Sequence, residues 1–181
     1  LISTYLYTKD GVFNFDLIKR IEQFPNKKYL EFFFNDVSNL TLNKVSEYWI
    51  PAQERMNLSN DNIFLKTHSA LCSVENNAFT NKSNTQAAIY VVRDPRNVIT
   101  SLSHHLSMNL EESYSFMTNT KQLLVNEQLG KYAFLSNTVL GSWSDHLNSW
   151  NNPKLSPILF IILDNFLYIR HKYHRNRVLL L

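Results

Sequence analysis

The chain has 181 residues, the size of one domain with a substantial core, and only three glycines, Gly11, Gly130 and Gly141, where average usage of about 7% would give roughly a dozen. No two glycines lie within ten residues, which excludes a Gly-x-Gly-x-x-Gly, Walker-type or nucleophile-elbow loop within this stretch. The net charge of +3 sits in the tail: Arg170, Lys172, Arg175 and Arg177 follow the last acidic residue, Asp164, and without them 14 basic residues face 15 acidic ones, which argues against a nucleic-acid-binding face.

Leu1 to Thr8 reads as the end of a helix, stopped by the turn signal Lys9-Asp10-Gly11. Ser38 to about Trp49 predicts a second helix, because Leu42, Val45 and Trp49 recur at helical spacing and Pro51 follows closely enough to end it. Asn62–Lys66 and Ala87–Arg93 are short β-branched and aromatic runs, read as strands buried on both faces. Glu75–Gln86 between them is polar and reads as a surface loop. Asp94-Pro95 then supplies a cap oxygen and a proline for the first helical position, and Val98, Leu102 and Leu106 continue as a helix. Trp143, Leu147 and Trp150 share one face of a further helix and are read as core. The apolar run Pro157–Leu163 is of strand length and far short of the ~20 residues of a membrane span. Strands alternating with helices in this way predict one α/β domain with a parallel sheet flanked by helices. A single cysteine, Cys72, excludes a disulfide framework and a cysteine zinc site and suits a reducing compartment, with the cytoplasm as the expected location.

In such a sheet, ligands bind at the carboxyl ends of strands, where helix N-termini offer N–H groups to anions. One predicted strand ends in Lys66-Thr67-His68, the other in Arg93-Asp94-Pro95-Arg96 with Ser101 two turns into the next helix. Arg93 offers a planar fork of donors and Ser101 a hydroxyl, so the pair could bracket a phosphate; alternatively Arg93 pairs with Asp94 or another carboxylate at the sheet edge and Ser101 is a surface serine. His68, with an ordinary pKa of about 6.5, suits a general base, and Lys66 could hold a transferring anionic group; the alternative is a loop histidine bonded to backbone. His104 and His105 are adjacent and point apart on a helix, while His171 and His174 have no cysteine or carboxylate partner, so no metal site is expected.

Three segments in this order, Phe64–Ala70 (FLKTHSA), Ile89–Ser101 (IYVVRDPRNVITS) and Gly141–Trp150 (GSWSDHLNSW), resemble the cytosolic-type sulfotransferase family, which uses 3′-phosphoadenosine 5′-phosphosulfate. The middle segment is similar to the family's 3′-phosphate-binding strand and helix, including the eight-residue interval from arginine to serine. The resemblance covers roughly residues 62–160 and more loosely the first 60. It implies a P-loop-type three-layer α/β fold and a phosphosulfate nucleotide as co-substrate, without a metal. It also implies that Arg93 and Ser101 bind the donor's 3′-phosphate, His68 deprotonates an acceptor hydroxyl or amine, and Lys66 stabilises the sulfuryl group.

The chain departs from the family at both ends. Leu1–Leu6 looks like the helix that follows the family's Lys-Ser-Gly-rich phosphosulfate loop, which also carries a catalytic lysine. Beyond Leu163 the basic tail matches none of the family's segments. The expectation is therefore a single partial sulfotransferase-like domain over residues 1–181, its tail from 163 unassigned, transferring sulfate poorly or not at all on its own. The acceptor is a small molecule or a side chain, selected by loops such as Glu75–Gln86 and Met108–Asn137; no nucleic-acid or membrane partner is expected, and a homodimer is left open. The competing readings are a nucleotide kinase-like phosphotransferase, which would need a Walker lysine and magnesium ligands, and a non-catalytic nucleotide-binding or interaction module that keeps the fold.

Overall fold

The computed structural model describes residues 2–59, 61–151, 157–163 and 167–168. His171, His174 and the four basic residues of the tail lie outside them. The chain opens with helix α1 (Ile2–Tyr7), a 3-10 turn at Phe15–Arg20 and a two-residue strand β1 (Glu22–Gln23). Helices α2 (Lys27–Leu30), α3 (Leu42–Ser46) and α4 (Trp49–Met56) precede strand β2 (Leu65–Lys66) and the hairpin of β3 (Ser73–Val74) and β4 (Asn77–Ala78). Strand β5 (Ala88–Arg93) leads into α5 (Pro95–Leu106) and α6 (Leu110–Thr118). Strands β6 (Leu123–Leu124) and β7 (Thr138–Val139) flank a 3-10 stretch at Glu127–Ser136, and α7 (Trp143–Trp150), β8 (Ile158–Leu163) and β9 (Leu167–Tyr168) follow.

The parallel pairing expected from the sequence is present in two places. Strand β2 runs parallel to β1, with Lys66 opposite Gln23, and β5 runs parallel to β8 over six residues, from Ala88 opposite Ile158 to Arg93 opposite Leu163. Strand β9 adds an antiparallel edge to β8. These are small sheets rather than one continuous sheet.

Three expectations need correction. The helix predicted over Ser38–Trp49 is two short helices, and Pro51 starts the second instead of ending the first. It occupies the third position of α4, where a missing backbone N–H costs nothing because first-turn N–H groups have no intrahelical acceptor. The strands were expected to be buried on both faces, yet β5 is at most half-buried and Val91 is 51% exposed. Among the described residues β5 pairs only with β8, so its other edge is open. The polar stretch Glu75–Gln86 is not wholly a surface loop: it contains half of the β3–β4 hairpin and delivers Phe79 and Thr80 to the interior.

Phe79 belongs to the main core, with Phe24, Leu30, Leu40, Val45, Trp49, Ala52 and Leu135. The buried Gln53 ties this hairpin to α4, donating through Nε2 to the carbonyls of Trp49 and Phe79 at 3.0 and 2.7 Å and accepting from the Thr80 hydroxyl. Gln53→Met keeps the volume but leaves the buried Phe79 carbonyl and Thr80 hydroxyl without this partner. We expect a loss of about 1–3 kcal/mol in urea unfolding, and an unchanged midpoint would show that the bridge contributes nothing.

Candidate functional site

Strand β2 ends where a side chain competes for the backbone. The Thr67 hydroxyl accepts from Ser69 N at 3.0 Å, closing a turn centred on His68 and carrying it off the strand. Lys66 and His68 are both exposed, and neither side chain has a hydrogen-bond or ion-pair partner among the described residues. The expected alternative for His68, a ring tied to backbone, is therefore not what the structure has. Crowding around the imidazole, then the nearby Lys66 ammonium and His146, hold its pKa below the ordinary 6.5. A depressed value keeps the ring neutral, and so able to accept a proton, across neutral pH.

The second predicted pair sits at the junction of β5 and α5. Asp94 caps the helix, accepting from Arg96 N at 2.8 Å, and its carboxylate is also gripped by the Arg96 guanidinium at 2.5–3.1 Å. That grip lowers the Asp94 pKa to about 2. Among the described residues the Asp94 carboxylate is thus engaged by Arg96 and not by Arg93. Arg93 is exposed at the strand's end, and neither its guanidinium nor the Ser101 hydroxyl has a side-chain partner among the described residues. Ser101 follows Asp94 by seven residues, close to two turns, and so lies on the same helix face as the cap.

The expectation that the helix start offers free N–H groups is corrected here. Pro95 has none, Arg96 N is spent on the Asp94 carboxylate and Asn97 N on the Asp94 carbonyl at 3.0 Å. An anion at this end would be held by side chains, with the helix dipole adding a sequence-independent bias.

Sequence reading took the third segment as core, and Trp150 is buried as expected. It missed His146. This ring lies between the two candidate pairs: Nε2 is 3.0 Å from the His68 carbonyl and Nδ1 is 2.9 Å from the Tyr90 hydroxyl on β5. A carbonyl can only accept, so Nε2 carries the hydrogen, and Nδ1 of the neutral ring accepts from Tyr90. Burial pushes the Tyr90 phenol up to about 12, which keeps it a donor, and burial holds His146 below its ordinary value. One neutral imidazole thus spans from the His68 peptide to the strand that ends in Arg93. The signal available beforehand was a histidine on the helix face bearing Leu147 and Trp150, but no spacing rule says what it would meet.

A cleft of about 460 Å³ opens over Met108, Glu112, Ser115, Phe116 and Gln122, at the start of the Met108–Asn137 stretch. That stretch, read from the sequence as a loop, contains α6, β6 and the 3-10 stretch that leads to β7. No helix among the described residues is long and apolar enough to cross a membrane.

The parallel strands and the capped strand-to-helix junction define an α/β protein in which one strand ends at an arginine without a partner among the described residues and another at a lysine and a histidine. The sulfotransferase domain family matches residues 12–164, and the chain belongs to that family, whose domain has the P-loop-type α/β fold. Searches of curated proteins and of solved structures return no match.

Proposed function

We propose that this domain, taken as one unit over the whole chain, moves a sulfuryl group from 3′-phosphoadenosine 5′-phosphosulfate to the hydroxyl or amine of a small-molecule or side-chain acceptor. Family membership supports sulfuryl transfer; the residues supply the rest. Arg93, exposed and without a carboxylate partner among the described residues, is the observation that carries the reading. A guanidinium left unneutralised beside a helix start fits a phosphate dianion, and Ser101 on the cap's face adds a hydroxyl donor. These two residues would hold the donor's 3′-phosphate.

When bound, the donor supplies a sulfuryl group activated by its phosphate leaving group. The neutral His68 imidazole takes the proton from the acceptor oxygen or nitrogen as that atom attacks, and becomes imidazolium. The Lys66 ammonium, two residues away, offers positive charge to the oxygens around the reacting sulfur. Catalysis by positioning and charge, as in phosphoryl transfer, needs little else from the protein.

Calorimetric titration of adenosine 3′,5′-bisphosphate into the chain and its Arg93→Ala variant tests the donor site. Loss of the charged contact should weaken binding by about 1.5–3 kcal/mol, roughly ten- to 150-fold, with Ser101→Ala costing less. Equal affinity for parent and Arg93→Ala would remove the 3′-phosphate assignment.

A further inference from the structure

We infer that one face of α7, formed by His146, Ser149 and Trp150, is the positioning element for His68, and that His146 is the positioning residue that fixes the His68 peptide. The inference rests on His68 being the proton acceptor and adds how it is held. Residues 146, 149 and 150 stand at i, i+3 and i+4 and so share one side of the helix. Each engages the backbone of the segment that carries His68. His146 Nε2 donates to the His68 carbonyl at 3.0 Å, Trp150 Nε1 to the Ser69 carbonyl at 3.0 Å, and the Ser149 hydroxyl accepts from Leu71 N at 2.9 Å. From the other side β7 adds two bonds: Ala70 N donates to the Val139 carbonyl at 2.7 Å, and Val139 N donates to the Ser69 hydroxyl at 3.3 Å.

Five hydrogen bonds thus hold the backbone of residues 68–71 and the Ser69 hydroxyl, while the His68 ring itself carries none among the described residues. This is how a proton acceptor is placed: its backbone is pinned, its imidazole nitrogens stay available, and the pins come from a rigid helix rather than from the loop. Of the three helix residues, His146 is the one hydrogen-bonded to strand β5 among the described residues, through Tyr90, whose ring also packs against His146, Trp150 and Phe160. That anchor gives His146 a fixed tautomer and ties the His68 segment to the strand ending in Arg93.

The test reads the 181-residue chain by NMR with nitrogen-labelled histidines. In the parent, His146 should appear as a single neutral Nε2–H tautomer with a hydrogen-bonded Nδ1, and His68 should titrate below the ordinary histidine value. In His146→Ala, the His68 titration should move up toward that value and hydrogen exchange at Leu71 should accelerate by about tenfold or more. His146→Gln, whose terminal amide donates from near the Nε2 position to the His68 carbonyl, should restore the slow exchange at Leu71. Parent-like titration and exchange in His146→Ala, or no rescue by Gln, would overturn the inference. Should His146→Ala not fold, Tyr90→Phe decides: it removes one hydroxyl, keeps the ring packing, and should loosen the His146 tautomer and raise the His68 titration. An unchanged Tyr90→Phe spectrum would overturn the inference equally. Turnover by His68→Ala is a separate measurement: full activity there would end the proton-acceptor reading while leaving these spectra as they are.

Discussion

Replacing His68 with alanine should lower kcat for sulfuryl transfer by about 10²–10⁴-fold, the usual contribution of a positioned general base, while leaving affinity for adenosine 3′,5′-bisphosphate unchanged. That loss corresponds to about 3–5 kcal/mol of barrier, and it should fall on the chemical step because His68 follows β2 whereas the proposed 3′-phosphate residues belong to the β5–α5 junction. The assay belongs in a chain extended by a phosphosulfate loop, since no glycine-rich loop can be drawn within residues 1–181. A His68→Ala enzyme with nearly full kcat would refute the assignment, and a fall in bisphosphate affinity would relocate His68 to donor binding.

The pH dependence follows from the direction of the shift. Partial desolvation by the atoms crowding the ring, then Lys66 and His146, disfavour the charged form, so half-protonation of His68 falls below pH 6.5. The active form is the neutral one. kcat/KM should therefore be level above about pH 6.5 and decline by about tenfold per unit on the acid side of the lowered value. Stability carries the same sign. At both His68 and His146 the folded pKa lies below the unfolded one, so between the two values the unfolded chain binds more protons and stability falls as the pH is lowered through that window. A rate that instead rises as the pH drops below 6.5 would require a protonated His68 and exclude the base role.

What could be read from the residues differs between the two halves of the site for a physical reason. The β5–α5 junction is a local affair: an apolar run, then an aspartate and a proline in sequence, which set strand end, cap and first turn without help from elsewhere. The positions of Arg93 at the strand's end and of Ser101 on the following helix were therefore legible. The choice of Arg96 over Arg93 by Asp94 was not, because both arginines are within reach in sequence and only the helix start brings the guanidinium of the former onto the carboxylate. Lys66 and His68 were legible as strand-end residues, although β2 is two residues long instead of five. His146 was not, because its meaning lies in contacts 78 residues back to His68 and 56 residues back to Tyr90. Pro51 misled because a proline within the first turn of a helix and a proline just past the end of one look alike in a sequence.

The core makes the other large prediction. Trp49 is fully buried and meets Phe79 edge to face at a centroid separation of 5.3 Å, joining α4 to the segment that follows the β3–β4 hairpin. Trp49→Ala should cost about 3–5 kcal/mol, the transfer of a large aromatic surface plus the cavity left when Leu30, Val45 and Phe79 cannot fully close. A loss of that size is a large fraction of the about 5–15 kcal/mol that holds a domain folded, so the variant should unfold at a much lower urea concentration. Trp49→Phe separates the two properties of the indole. Its Nε1 is buried and has no hydrogen-bond partner among the described residues, so the ring's polar edge already bears a desolvation cost that phenylalanine would remove. The phenylalanine variant should therefore lose clearly less stability than Trp49→Ala. If the two variants unfold at the same urea concentration, the indole N–H has a partner in solution and Trp49 is a polar tie rather than simple packing.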